Sequence, residues 1–358
     1  MILGSNQRNT WRRLFGNKSA LCGMVIIILC VLIAIFAYFI SPDSSPDANR
    51  MVVEIGGLKP GTSQQFLRLV KEEQPAYVSL LQRVVYGLPD RYDYIPVNAC
   101  HFIEDSVIAE KFIDEGVSER MAVPREMVGD PPVVVKKFYL GTDKYGRDIL
   151  SRLLVGARVS LGVGLVTVIL SVLIGVLLGA LAGYFLGRVD AVIMWFINVV
   201  WSIPTLLLVF AITLVLGKGF WQVFIAIGLT TWVNVARLIR GQVIAIRKLE
   251  YVDAARVLGY SPVRIIGRHI LPNVMGPVIV IAASNFASAI VIEAGLSFLG
   301  VGVQPPQPSW GLMIKENYNF IITHNPMLAL APGFAIMILV LAFNLLGNGL
   351  RDALDVKT

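Results

Sequence analysis

The chain has 358 residues, of which 56% are hydrophobic and only 15% charged, and its mean hydropathy is +0.69. Soluble domains carry about 25% charged residues, so composition excludes a purely soluble protein: much of this chain has no aqueous surface to cover. The formal charge of +7 does not point to nucleic acid, because the basic residues gather where membrane topology would put them.

Arg8, Arg12, Arg13 and Lys18 precede the first apolar run, Ala20–Ile40. The run is longer than the 7–15 residues of a signal-peptide core. It closes on Tyr38-Phe39-Ile40 rather than on small residues, so it is expected to remain as a first transmembrane helix. The segment from Ser41 to Ala157 is acidic on balance and is expected outside the cell membrane, as a small extracytoplasmic domain. Within it, Phe66, Leu67, Val70, Val78, Leu81 and Val85 suggest helix over Thr62–Tyr86, and Ile103–Val117 is a second helical candidate. Such a domain is either a passive cap or a docking surface for a soluble partner.

Five further apolar runs follow: Val159–Phe185, Ala191–Leu216, Phe220–Leu238, Val274–Leu296 and Met327–Leu346. Each matches the roughly 20 residues that cross a ~30 Å hydrocarbon core. Single runs of that length satisfy their backbone in lipid only as helices, so the expectation is an all-α membrane protein with about six transmembrane helices. The stretch between the fourth and fifth runs carries Arg237, Arg240, Arg247, Lys248, Arg256, Arg264 and Arg268 against Glu250 and Asp253. The excess of basic residues assigns it to the cytoplasm. Six crossings then leave both termini, 1–19 and 351–358, cytoplasmic as well.

Gly175, Gly179 and Gly183 recur every four residues in the second run, a spacing that lets helix backbones pack closely. Asn198, Ser202, Asn234, Asn285 and Ser288 are membrane-embedded polar residues that either line a path or bond neighbouring helices. Glu293 is the one acid inside a predicted membrane helix. It sits near a helix end where water is expected to reach it, and a proton relay would call for more than one such group.

No catalytic centre is legible. Gly217-Lys218-Gly219 lacks the rest of a phosphate loop, so the chain is not expected to hydrolyse ATP or to be an enzyme. His101, His269 and His324 lie far apart, and Cys22, Cys30 and Cys100 build neither a disulfide framework nor a metal site.

The cytoplasmic stretch has a clear design. Glu250-Tyr251-Val252-Asp253-Ala254-Ala255-Arg256-Val257 reads as a short helix stopped by Gly259, which takes up the left-handed conformation readily. Ser261 and Pro262 then open a second helix. Glu250 and Asp253 share a face, and Ala254 and Ala255 are read as a face without bulk that a neighbour can approach. An ordinary amphipathic connector would look similar.

Here the residues resemble a family. Asp253-Ala254-Ala255, Gly259 and Leu271-Pro272 are similar to the EAA loop of ABC importer permeases, with Asp253 where Glu is usual and His269 where a hydrophobe is common. Leu140-Gly141-Thr142-Asp143, Gly146-Arg147-Asp148, Ser151-Arg152-Leu153-Leu154 and Gly156-Ala157-Arg158 resemble the dipeptide/oligopeptide/nickel permeases. So do Ala294–Gly300, Pro305-Pro306, Pro308-Ser309-Trp310-Gly311 and Gly349–Asp355.

The resemblance implies a type I importer permease in the inner membrane, with a transmembrane domain over 158–350 and a coupling loop at 239–273. It further implies a second permease, cytoplasmic ATP-binding subunits that hold the ATP, and an extracytoplasmic substrate-binding protein. Glu250, Asp253, Ala254, Ala255 and Gly259 would carry motion from the ATPases to the membrane helices. The solute, whether dipeptide, oligopeptide or nickel chelate, is not legible. An ion-driven secondary transporter would predict several intramembrane acids and internal symmetry between halves, and a membrane scaffold would leave the helix–turn–helix loop unexplained.

Overall fold

The structure is a computed structural model that describes residues 12–114, 116–217, 219–322 and 325–354. Arg8, Lys218, His324 and the end of the tail, 355–358, lie outside the described residues. The chain forms two compact units. One comprises the chain up to Cys30, Ser160–Gln304 and the chain from Ile336; the other comprises Val31–Val159 and Pro305–Ala335.

Helix α1 is Lys18–Ile40, 23 residues, which at ~1.5 Å per residue is long enough to cross a bilayer. The chain then changes character. Strand β1 (Thr62–Val70), helix α2 (Leu80–Tyr86) and strands β2 (Tyr92–Phe102), β3 (Ser106–Asp114), β4 (Val117–Pro124) and β5 (Val128–Phe138) follow in order. The strands make one antiparallel sheet in the order β4-β3-β2-β1-β5.

The expected helix over Thr62–Tyr86 is therefore strand at its start and helix only at its end, and the one expected over Ile103–Val117 is mostly strand. Phe66 and Leu67 are adjacent in sequence and both buried, but they point to opposite faces of β1. Leu67 packs with Val97, Val107, Ala109 and Val123, and Phe66 with Val52, Ile55 and Phe138. A strand covered on both faces gives neighbouring apolar residues that imitate helical spacing. In β3 the buried pair Val107 and Ala109 alternates with a period of two. Only Leu80–Tyr86 is helical within these segments, and none of its side chains is buried.

Helix α3 spans Ile149–Phe185, followed by α4 (Gly187–Ser202), α5 (Thr205–Leu216), α6 (Phe220–Ile246), α7 (Glu250–Val257) and α8 (Pro262–Ile265). A π-type segment, Ile266–Ile270, leads into α9 (Leu271–Leu299); α10 (Trp310–Asn317) and α11 (Met327–Leu354) complete the chain. Among the described residues, five helices are long and apolar enough to cross a membrane, and α4 and α5 reach that length only together, across a 95° bend. The run Ala191–Leu216 is thus not one straight helix. Pro204 cannot donate to the helix, and Ile203 before it is extended (φ −94°, ψ 129°), as a residue preceding proline prefers.

Helix α3 starts ten residues before the apolar run because its polar first turn is held by the chain itself. The Asp148 carboxylate accepts from the Ser151 amide at 2.8 Å and from the Ser151 hydroxyl, and that hydroxyl accepts from the Asp43 amide at 2.8 Å. Nearby, Thr142 Oγ1 donates to the Ile55 carbonyl at 2.5 Å and accepts from the Leu58 amide at 2.9 Å. Gly146 (φ +73°) packs so closely on the Val52 carbonyl that a Cβ would overlap it. Arg147 Nε bonds Asp143 at 2.6 Å, and Arg147 Nη2 bonds Glu316 at 2.7 Å. Trp310 Nε1 donates to the Leu153 carbonyl at 2.9 Å.

In the other unit, α6 is the most enclosed of the long helices. Gly175, Gly179 and Gly183 face it. A Cβ at these positions would stand 2.5 Å from Val235 Cβ, 2.5 Å from the Ala236 oxygen and 2.8 Å from the Arg240 oxygen. Helix α1 approaches α11 in the same manner at Gly23, where a Cβ would meet the Ala342 oxygen at 2.5 Å.

Candidate coupling loop and intramembrane groove

Helix α7 ends in a Schellman turn. The Gly259 amide donates to the Arg256 carbonyl at 2.9 Å and the Tyr260 amide to the Ala255 carbonyl at 3.2 Å, with Gly259 at φ +74°. That backbone angle is what requires glycine, since nothing lies within 4 Å of a Cβ added there. Ser261 then caps α8 by accepting from the Arg264 amide at 3.4 Å, and Pro262 occupies the first turn. Asn273 Nδ2 donates to the His269 carbonyl (2.8 Å) and to the Tyr251 hydroxyl (3.1 Å). These bonds tie α7 to the start of α9.

The inner side of this loop is rooted in the helix bundle. Val252, Ala255, Ile265 and Ile270 are buried with Ile239, Val243 and Val274. Burial stabilises by about 1.5–3 kcal/mol for each large aliphatic side chain. The outer side is open. Glu250, Asp253 and Ala254 are exposed, as are Val257 (88%), Leu258 (70%) and Val263 (82%). Asp253 pairs with Arg256 at 2.8 Å.

Here the structure corrects the sequence reading. Ala254 and Ala255 do not share an outer face: successive helical residues point about 100° apart, and Ala255, only 3% exposed, packs inward. The outward patch consists of Ala254, Val257, Leu258 and Val263, flanked by Glu250 and Asp253. The last three apolar residues were not singled out in the sequence.

Arg237 and Arg240, read as loop residues, belong to α6. Arg240 binds Asp190 of α4 through two bonds of 2.5 and 2.6 Å. Arg237 lies 3.7 Å over the Trp201 ring and donates to Asn198 at 3.3 Å.

The membrane-embedded polar residues divide. Asn234, Asn285 and Ser288 come together with Thr205, Thr231 and Asn344 around a groove of about 400 Å³. Asn198 and Ser202 are not part of it; Ser202 Oγ donates to the Val199 carbonyl at 2.8 Å. Asn285 is buried and reaches Ser171 Oγ at 3.4 Å. Thr205, Thr231 and Asn344 carried no sequence signal, because isolated hydroxyls and amides in apolar runs usually bond within the bundle. Glu293 is 1% exposed rather than reached by water, and accepts from the Ser297 hydroxyl at 2.6 Å.

The unit that carries the sheet holds a second cavity, about 500 Å³, lined among others by Asp43, Arg50, Tyr94, Lys136 and Asp148. Lys136 Nζ stands 3.6 Å over the Tyr94 ring. Burial, and then repulsion from Arg50, push its pKa down to about 7. Burial also raises the Asp148 carboxyl above the usual range, against the hydrogen bonds from Ser151 that lower it.

The family of binding-protein-dependent transport system inner membrane components matches residues 175–358, and the N-terminal TM domain of oligopeptide transport permease C matches residues 5–59. The chain belongs to this permease family. It is 42% identical over 219 residues to the glutathione transport system permease protein GsiD of Pectobacterium atrosepticum, covering 61% of this chain and 72% of that one. It is 42% identical over 231 residues to the oligopeptide transport system permease protein OppC of Escherichia coli K12 (64% and 76%). OppC of Bacillus subtilis is 41% identical over 222 residues (62% and 72%). Among solved structures, the MetNI methionine ABC transporter in an inward-facing conformation aligns with a TM-score of 0.47 at 18% identity, over 56% of this chain and 96% of that chain. By its family match over residues 175–358 and its long apolar helices, the permease is a multi-spanning inner membrane component of a binding-protein-dependent transport system, and its sheet lies in the stretch that neither family match covers.

Proposed function

We propose that this permease forms, with a second and similar permease, the translocation path of an ATP-driven importer for peptides or related small solutes. ATP is bound and hydrolysed on separate cytoplasmic subunits, and an extracytoplasmic binding protein delivers the solute. The loop from Glu250 to Gly259 faces the ATPases in the cytoplasm together with both termini, and the β-sheet insertion lies outside. The permease itself carries no cofactor.

One observation carries this reading: an exposed apolar patch, Val257, Leu258 and Val263, mounted on a Schellman-capped helix whose other side is locked into the bundle. A patch that moves with the bundle transmits a push, because packed elements shift as rigid bodies. The groove beside Asn234, Asn285, Ser288 and Asn344 is the stretch of path this subunit supplies, with amides and hydroxyls suited to peptide groups.

The test is purification from the native membrane in mild detergent, with mass spectrometry of what remains bound. A second permease and one or two ATPases are expected. Recovery of this chain alone, repeated after crosslinking, would sink the proposal.

A further inference from the structure

Helix α2 is short, and most of its side chains are exposed. It has seven residues and none of its side chains is buried, whereas isolated helices shorter than about 12–15 residues are marginal in water. Its start is satisfied locally: Ser79 and Gln82 form a capping box. Its surface is apolar, with Leu80 72% and Leu81 80% exposed, and Tyr77 just before it is 89% exposed. Leu80, Leu81, Val84 and Val85 fall on one side by helical spacing, with Ser79, Gln82 and Tyr86 on the other.

The position of this helix is fixed by the end of α1. Arg83 lies 4.5 Å over the Phe39 ring. The Leu88 amide donates to the Ser44 carbonyl at 2.8 Å, and a Cβ on Gly87 would stand 2.9 Å from the Tyr38 ring. Arg50 clamps the following turn by binding Asp90 through both oxygens and Asp43 at 3.2 Å. Phe39 and Ile40 form the last turn of a membrane-crossing helix and are themselves exposed. That turn marks the depth of the membrane–water boundary, where tyrosine and amphipathic helices settle.

We propose that α2 is an interfacial anchor. It lies in the headgroup boundary of the bilayer at the Ile40 end of α1, with Leu81 and Val85 in the acyl region and Gln82 towards water. The inference goes beyond the transport reading and needs only that α1 crosses the membrane. The occupant of the apolar side is lipid, because Arg83 sets the helix against Phe39 in the last turn of α1, and Leu81 and Val85 lie on the opposite side of α2 at that same depth.

The test uses the complete transporter in phospholipid nanodiscs. Nitroxide labels are placed at Leu81→Cys, Val85→Cys and Gln82→Cys, with Cys22, Cys30 and Cys100 replaced by serine. Labels at 81 and 85 should collide several-fold more with dissolved oxygen than with a water-soluble nickel chelate, and the label at 82 should reverse that ratio. In the unmodified chain, a phospholipid with a diazirine near its glycerol should give adducts within 77–86. Free access of the nickel chelate to 81 and 85 would overturn the proposal, as would protection from both colliders, which marks a protein neighbour. Absence of adducts within 77–86, with adducts present on α1, would do the same.

Discussion

Arg147 and Glu316 meet across 169 residues of chain: Arg147 Nη2 lies 2.7 Å from Glu316 Oε2, with the guanidinium 1% exposed. The same guanidinium holds Asp143 at 2.6 Å, and Arg152 approaches Glu316 at 3.5 Å. Removing one partner of a buried pair costs more than the pair contributes, because the remaining charge is left without compensation. Arg147→Met strands Asp143 and leaves Glu316 with Arg152 alone, and should cost about 3–5 kcal/mol, read as a lowered thermal midpoint in detergent. Glu316→Gln should cost less, since the amide still accepts a hydrogen bond. Equal midpoints for wild type and Arg147→Met would remove the pair from the account.

Gly259 is needed for its backbone angle and not for the room above it. Gly259→Ala should destabilise the turn by about 1–2 kcal/mol, the cost of a left-handed conformation for a residue with a Cβ. Gly259→Asn should be milder, because asparagine visits that region. Gly259→Val should leave insertion normal while uncoupling ATP hydrolysis from uptake. Full uptake in the valine variant, measured with labelled solute in vesicles, would refute the coupling role.

The two alanines of α7 should separate in their effects. Ala255→Glu puts a carboxylate into the cluster of Val252, Ile239 and Val274, and should lower the amount of folded permease. Ala254→Glu lies on the open side and should leave folding intact while weakening ATPase retention in detergent. Equal folded yields for the two variants would contradict the inward placement of Ala255.

At Gly179 a leucine would drive into the Ala236 carbonyl and Ile239, whose Cβ stands 2.9 Å from the added Cβ position. Overpacking of this kind costs about 1–3 kcal/mol or more. Gly162, where nothing lies within 4 Å of an added Cβ, provides the control. Gly162→Ala should be neutral or gain up to about 1 kcal/mol from helix propensity. The measurement is the monodisperse fraction after detergent extraction and heating.

Lys136 gives a pH signature. Its folded-state pKa of about 7 lies below the 10.5 of an unburied lysine. Between those values the unfolded chain binds more protons, so stability rises with pH across the window, and the full cost is present below about pH 7. Lys136→Met should therefore raise the thermal midpoint more at pH 6 than at pH 10. In the wild type, reductive methylation of Lys136 followed by mass spectrometry should titrate near neutrality. A midpoint of labelling near 10 would show that the amine is solvated.

The membrane helices were legible because an apolar run of crossing length has few alternatives, and the loop because Gly259, Ser261 and Pro262 each carry turn chemistry. The sheet was not. Phe66 and Leu67 serve two cores on opposite faces of β1, and hydrophobic spacing along one strand cannot register two partners from distant sequence. The bend at Ile203 was available in Pro204, yet unbroken hydropathy on both sides outweighed it. The inward turn of Ala255 depends on which side of α7 meets the bundle, and two consecutive alanines do not encode that. Thr205, Thr231 and Asn344 converge only through tertiary packing of α5, α6 and α11.

The sheet begins and ends on one rung: Thr62 of β1 is paired with Phe138 of β5. Directly opposed residues in an antiparallel ladder have their Cα atoms about 4.5–5.5 Å apart. The 75 residues between them leave and return through a single doorway, so strands can be added or lost there without stretching the chain on either side. The sheet is thus a closed excursion of the chain, entered and left at one point, so its internal strands place no demand on the span between the segments that flank it.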